Sequence, residues 1–172
     1  MALASVIKMN KAVKKEVEVL IEHYDLNCSM EEFKNKADWS HICCFKTLSE
    51  NFIKEFKNEV NWWSLSLHQV LSENFIREFK NKVDWHWISH HQKLSLSFIR
   101  EFKDSVHWCS ISHFQDLSAS FIREFQDYIF LDNLLYNNNI SEEIKNKIRN
   151  EIIFLEPVLL YPEMNFSLID IE

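Results

Sequence analysis

Three features of the sequence predict an all-α fold, a short α-solenoid of stacked two-helix 23-residue repeats with capping helices at both ends. A fifteen-residue word recurs every 23 residues, the chain of 172 residues holds no glycine, and its aromatic side chains are spaced three and four apart. The recurrence is the sequence signature of a repeat array whose units bury their apolar faces on one another. Glycine supplies the positive-φ positions of hairpin turns and many helix ends, so its absence argues against tightly turned sheets. Spacings of three and four residues place side chains on one helical face.

Aligned in register, the copies read "LSENFIKEFKNEVNW" from Leu48, "LSENFIREFKNKVDW" from Leu71, "LSLSFIREFKDSVHW" from Leu94 and "LSASFIREFQDYIFL" from Leu117. Trp39, Trp62, Trp85 and Trp108 keep the step, as do Phe33, Phe56, Phe79, Phe102 and Phe125. Upstream, "SMEEFKNKADW" fits the register. Downstream, "ISEEIKNKIRNEII" fits with Ile144 and Ile148 in place of two phenylalanines. The expected organisation is an N-terminal capping helix within 1–28, tandem repeats over 29–139, a degenerate capping repeat over 140–153 and an extended tail over 154–172.

The N-terminal segment "KAVKKEVEVLIEHY" sets Val13, Val17, Leu20, Ile21 and Tyr24 on one helical face. Ser29 followed by Glu32 reads as a capping box opening the first array helix. Within each repeat, shown by the copy from Leu71, Ser72 is the expected N-cap of a first helix of about 12 residues. Leu71 and Ile76 form its hydrophobic staple, and Phe75, Phe79 and Val83 form its stripe. Asp84, with Asn61 and Asp38 in the same register, is the expected N-cap of a second helix of about two turns ending near Gln92. Helices this short are marginal alone, so their aromatics must be buried against neighbouring copies. Leucine-rich β/α solenoids also have periods in the twenties. However, the Trp87 position is His41, Ser64 and Ser110 in other copies, which breaks a strand alternation, whereas Trp and Ile/Leu three apart are constant. The tail carries both prolines, Pro157 and Pro162, and is expected either to lie over the last repeat or to dock on a partner.

The formal charge of −7 excludes broad attraction to nucleic acid or anionic membrane, and no apolar run is long enough to span a bilayer. Cys28, Cys43, Cys44 and Cys109 form no C-x-x-C pair and no secretory pattern opens the sequence, so a reduced, cytoplasmic protein is expected. Phosphate loops, dinucleotide fingerprints and nucleophile elbows need glycines this chain lacks. Cys43, Cys44 and Cys109 fall in second helices, where cysteine is usually a small buried hydrophobe. No enzyme activity, catalytic residue or cofactor is expected. His68, His86, His90, His91 and His113 share helical registers, but no acid or Cys/His spacing completes a metal site, and none is expected.

Two ladders of polar residues run along the register. Lys54, Arg77, Arg100 and Arg123 stand next to Glu55, Glu78, Glu101 and Glu124. They are expected to pair across adjacent copies on a solvated face, the alternative being a phosphate clamp that sequesters a nucleotide signal or nucleic acid. Gln69, Gln92 and Gln115, with Ser66, Ser89 and Ser112, are expected to satisfy backbone groups of neighbouring copies.

The positions that vary carry the functional signal. Second helices keep their Trp and Ile/Leu but change elsewhere, placing Trp63, Leu67, His68, His86, Trp87, His90, His91, His113, Phe114 and Tyr136 on an expected recognition face. The W-x-x-I-S and L-S-x-x-F-I-R-E-F words resemble tandem short repeats in uncharacterised proteins of large DNA viruses and bacteriophages. The resemblance covers Trp39 to about Asn139; "ICCFKT" and "FLDNLL" depart from it. It implies a viral or phage protein of the host cytoplasm, one that binds a host or viral protein and inhibits a host defence nuclease or CRISPR effector. Self-assembly into a homo-oligomeric structural protein is the remaining alternative.

Overall fold

The computed structural model describes residues 9–159. Among them are twelve α-helices and no strand, so the chain is all-α. In order they are α1 (Lys11–His23), α2 (Phe33–Lys36), α3 (Trp39–Phe45), α4 (Glu50–Glu55), α5 (Trp62–His68), α6 (Glu73–Glu78), α7 (Trp85–His91), α8 (Leu96–Glu101), α9 (Trp108–Phe114), α10 (Ala119–Glu124), α11 (Leu131–Tyr136) and α12 (Glu142–Leu159). The chain divides into two compact units, Met1–Trp87 and Ile88–Glu172. Within each, helix pairs of the repeat pack on one another as in an α-solenoid.

The first helices α4, α6, α8 and α10 each begin at a serine whose hydroxyl accepts from the amide three residues on. Ser49 takes Phe52 N, Ser72 takes Phe75 N, Ser95 takes Phe98 N and Ser118 takes Phe121 N, at 3.1–3.2 Å. The same phenylalanines are fully buried, together with Ile53, Ile76 and Ile99 beside them. Second helices start at Asp38, Asn61 and Asp84, whose side chains accept from His41 N, Ser64 N, and His86 N and Trp87 N. In the fourth copy the sequence offers no acid or amide at this register. There His107 Nδ1 takes Ser110 N at 3.3 Å.

The first helix is shorter than its apolar stripe predicts: six residues, not about 12. Phe79 leaves helical geometry with φ −112° and ψ 26°, and a separate turn closed by Val83 N on the Phe79 carbonyl follows. The Trp85 indole donates to the Lys80 carbonyl at 3.0 Å, as Trp39, Trp62 and Trp108 do to Lys34, Lys57 and Lys103, and so satisfies a carbonyl of the turn beyond the helix end. The stripe residues stay buried nonetheless: Phe56, Phe79 and Phe102 are 6%, 8% and 9% exposed.

In the first unit, Phe33 packs edge-on against Phe52 and Phe56, and Trp39 lies 5.1 Å from Phe56 between ring centres. Helix α1 closes this end by burying Val13, Val17 and Leu20. Its Glu16 carboxylate accepts from Ser49 N and Ser49 Oγ at 2.9 and 2.7 Å. At Ser29 one half of the capping box forms, with its amide donating to Glu32 at 3.0 Å. In the second unit, Trp108 packs on Phe125 and Tyr128, with centroids 5.1 and 5.0 Å away. Leu134 of α11 and Ile148 of α12 extend this core.

The far end departs from expectation in one respect. The backbone of 154–159, expected to begin an extended tail, continues α12. Ser141 Oγ accepts from Ile144 N at 3.4 Å at the start of the helix, and no glycine follows. Propagation, which adds one hydrogen bond per ordered residue, carries the helix through Pro157 to Leu159, the last described residue. The rest of the expected tail, 160–172, lies outside the described residues.

Candidate recognition surface

The constant polar side chains are consumed inside the scaffold. Gln69 donates from Nε2 to the carbonyls of Cys43 and Lys46, at 2.8 and 2.7 Å, and its Oε1 accepts from Leu48 N at 3.0 Å. Gln115 does the same two repeats later, donating to Ser89 O and Gln92 O at 2.9 and 2.8 Å and accepting from Leu94 N at 3.1 Å. Asn137 repeats the pattern on Ser112 O and Gln115 O. The carbonyls reached are those left over at the ends of α3, α7 and α9, where a glycine-containing protein commonly uses a left-handed cap. The chain ends these helices in extended geometry instead, as at Lys46 with φ −115° and ψ 138°, and caps them from the following copy.

The serine ladder works in parallel. Ser66 Oγ donates to Trp62 O and accepts from Asp84 N at 2.9 Å. Ser112 Oγ donates to Trp108 O and accepts from Phe130 N, and Ser89 Oγ accepts from His107 N.

The basic ladder is largely met by acids. Lys54 pairs with Glu78 of the following copy at 2.6 Å. Arg100 makes a two-pronged contact with Glu124, 2.9 Å from Nε and 2.7 Å from Nη2. This partner draws the Glu124 carboxyl below its usual range, chiefly by hydrogen bonding. Arg77 reaches Glu73 and Asn74 on its own helix. Arg123 is exposed, and the position that would hold its acid is Lys147. The ladder thus forms ion pairs at Lys54, Arg77 and Arg100.

The variable side chains face outward. In the first unit, Trp63 is 49% exposed and meets half-buried Trp87 edge-on at 6.0 Å, with exposed His86 against Trp87 at 4.8 Å. His68 is exposed and Leu67 half-buried. Phe45, 70% exposed with His41 against it at 4.6 Å, extends the same set. In the second unit, His90 is half-buried against Phe114, with ring centres 3.8 Å apart. His91 is exposed beside it. His113 packs on Phe114 from the other side at 4.3 Å, and Tyr136 is 73% exposed.

A feature absent from the position-by-position reading appears when the helices are taken whole. The second helices α3, α5, α7 and α9 contain no Asp, Glu, Lys or Arg, in a chain that is 26% charged. They hold six of its eight histidines, His41, His68, His86, His90, His91 and His113. In these four helices charge is left to the flanking first helices and loops, whereas the next second helix, α11, carries Asp132. Among the described residues no three His, Cys, Asp or Glu side chains gather to hold a metal, and no helix is long and apolar enough to cross a membrane. The four cysteines are unpaired, and burial pushes the Cys43 thiol up to about 11.

In the second unit the face carries a cleft of about 310 Å³ lined by His90, His91, Lys93, Phe114, Asp116 and Asn139, among others. Lys93, Asp116 and Asn139 occupy one register 23 residues apart and were not legible as site residues, because each is a different, ordinary surface type. Their register was the available signal. Exposed Tyr128, Phe130 and Leu131 add apolar surface at the α10–α11 turn, also beyond the residues singled out from the sequence. The sequence matches no protein-family model, no curated protein and no solved structure.

Proposed function

We propose that the chain is a non-catalytic repeat scaffold that binds a protein partner through the outward side chains of its second helices. The observation that carries this reading is the segregation just described. Constant positions are buried or spent on backbone caps, while four successive second helices keep exposed aromatics and imidazoles and no formal charge. Solvated helix faces normally carry charge for solubility. A face stripped of it and supplied with Trp, Phe and His has the composition of an interface core. Trp63 and Trp87 sit within a turn of the capped helix starts at Asn61 and Asp84, which gives these anchors a firm support.

The resemblance of the repeat words to those of large DNA viruses and bacteriophages extends the proposal. In that setting the partner is a host protein of the cytoplasm, and binding inhibits it, a defence nuclease or CRISPR effector being the class expected. The test is capture from host lysate, with partner identification by mass spectrometry, by the wild type and by Trp63→Ala, Trp87→Ala and His91→Ala. Loss of one specific partner in at least one variant supports the reading, and unchanged capture by all three overturns it. Sedimentation of the isolated chain across concentrations separates self-assembly, which alone would raise its mass.

A further inference from the structure

The cleft on α7 and α9 differs from the rest of the second-helix face because two charges stand at its rim. Lys93 and Asp116 occupy equivalent positions of successive copies. Both are exposed and both line the cleft. Among the described residues neither has a hydrogen-bond or ion-pair partner, and they do not pair with each other. Two ladder charges are matched one copy away, Lys54 by Glu78 and Arg100 by Glu124. Lys93 and Asp116, a cation and an anion one period apart and both without a partner among the described residues, form a dipolar pair at the cleft.

The tilted His90–Phe114 pair lines the same cleft. The His90 ring lies 3.8 Å from Phe114 at an interplanar angle of 38°. Phe114 is fixed from behind, because Asn139 Nδ2 donates to its carbonyl at 2.8 Å. The backbone under the cleft is rigid as well, since Gln115 is buried and closes three bonds to Ser89, Gln92 and Leu94. The volume, about 310 Å³, suits one or two side chains rather than a folded element.

Resting on the docking reading above, we infer that this cleft takes a segment of the partner protein bearing an acidic and a basic side chain a few residues apart. The acid is set against Lys93, the base against Asp116, and the intervening side chain lies on the His90–Phe114 pair. Complementary charge at a rim sets register and partner choice more than raw affinity. The cleft would therefore decide how the partner is oriented, while exposed aromatics supply the hold.

The test uses the full ¹⁵N-labelled chain and four capped tetrapeptides with a central tyrosine, bearing Glu and Lys, Glu alone, Lys alone, or Gln at both places. Amide shifts of residues 90–94 and 114–116 report binding. The doubly charged peptide is expected to bind tightest, each lost charge weakening it by about fivefold, the weight of one exposed ion pair. In Lys93→Gln the peptide's Glu ceases to matter, and in Asp116→Asn its Lys ceases to matter. Both positions are exposed, so neither variant disturbs the core. Equal binding of all four peptides, no shift at these residues, or a charge preference that survives both variants would overturn the inference. Such a result alongside partner capture lost in Trp63→Ala leaves the docking reading standing. Capture unchanged in every aromatic variant removes the docking reading itself.

Discussion

Replacing Gln115 by methionine isolates the contribution of capping from the following copy. Methionine keeps the length and much of the volume of glutamine, so packing changes little, while the amide that donates to Ser89 O and Gln92 O and accepts from Leu94 N is lost. The residue is 3% exposed, so water does not readily take over. Three neutral hydrogen bonds at about 1 kcal/mol each give a loss of about 3 kcal/mol, rising toward about 5 if the carbonyls stay unsatisfied. Against a typical stability of about 5–15 kcal/mol that is a large fraction. Amide hydrogen exchange read by mass spectrometry on peptides spanning 88–117 should show protection reduced by about a hundredfold or more, with Leu94 among the residues affected. Gln126→Met, at an exposed position, serves as the control and should change stability by less than about 0.5 kcal/mol. A Gln115→Met loss below about 1 kcal/mol would refute the claim that these helix ends depend on the amide.

Three further outcomes follow from local geometry. Ser95→Ala removes the hydroxyl that caps α8 through Phe98 N and should cost about 1 kcal/mol in urea unfolding; a neutral effect would show that the cap is dispensable. The Cys43 thiol, raised from 9.0 to about 11 by burial, should resist iodoacetamide at pH 8 in the native protein while half-buried Cys28, Cys44 and Cys109 react first. Because its neutral form is favoured on folding, the stability linked to Cys43 is intact below about pH 9 and fades as pH rises towards 11; early labelling of Cys43 would contradict this. Arg100→Met should remove the hydrogen bonds that lower the Glu124 carboxyl from 4.5. The Arg100 contribution, present above about pH 4.5, should shrink as the pH falls through the lowered value, so the wild-type and variant unfolding curves converge in acid.

The architecture was legible because the period is unbroken. Trp85, Phe79 and Ser72 recur at fixed places, and local rules for caps and apolar stripes apply to each copy in turn. The contacts between copies made by the glutamine and serine ladders were legible from their shared register. What escaped was local detail within each copy. The Trp85 indole takes the Lys80 carbonyl, a contact that i, i+4 counting cannot see. His107 stands where an N-cap is needed and serves as one through its ring nitrogen, although imidazole is not a usual cap. At the candidate site, the variable aromatics were identifiable as exceptions within a register. Lys93 and Asp116 were not, since a lone surface charge means nothing until its lack of a partner is known. The first residues of the expected tail, 154–159, are helical instead.

The glutamine caps carry an evolutionary corollary. Gln115 reaches back 23 residues to Gln92 O and 26 to Ser89 O, and Gln69 spans the same intervals to Lys46 O and Cys43 O. An insertion or deletion of any other length between donor and recipient would strand a helix end, whereas recombination that adds or removes one full period restores every contact. The array can therefore grow or shrink only in quanta of one helix pair, and each step would add or delete one strip of the presented face without refolding the others.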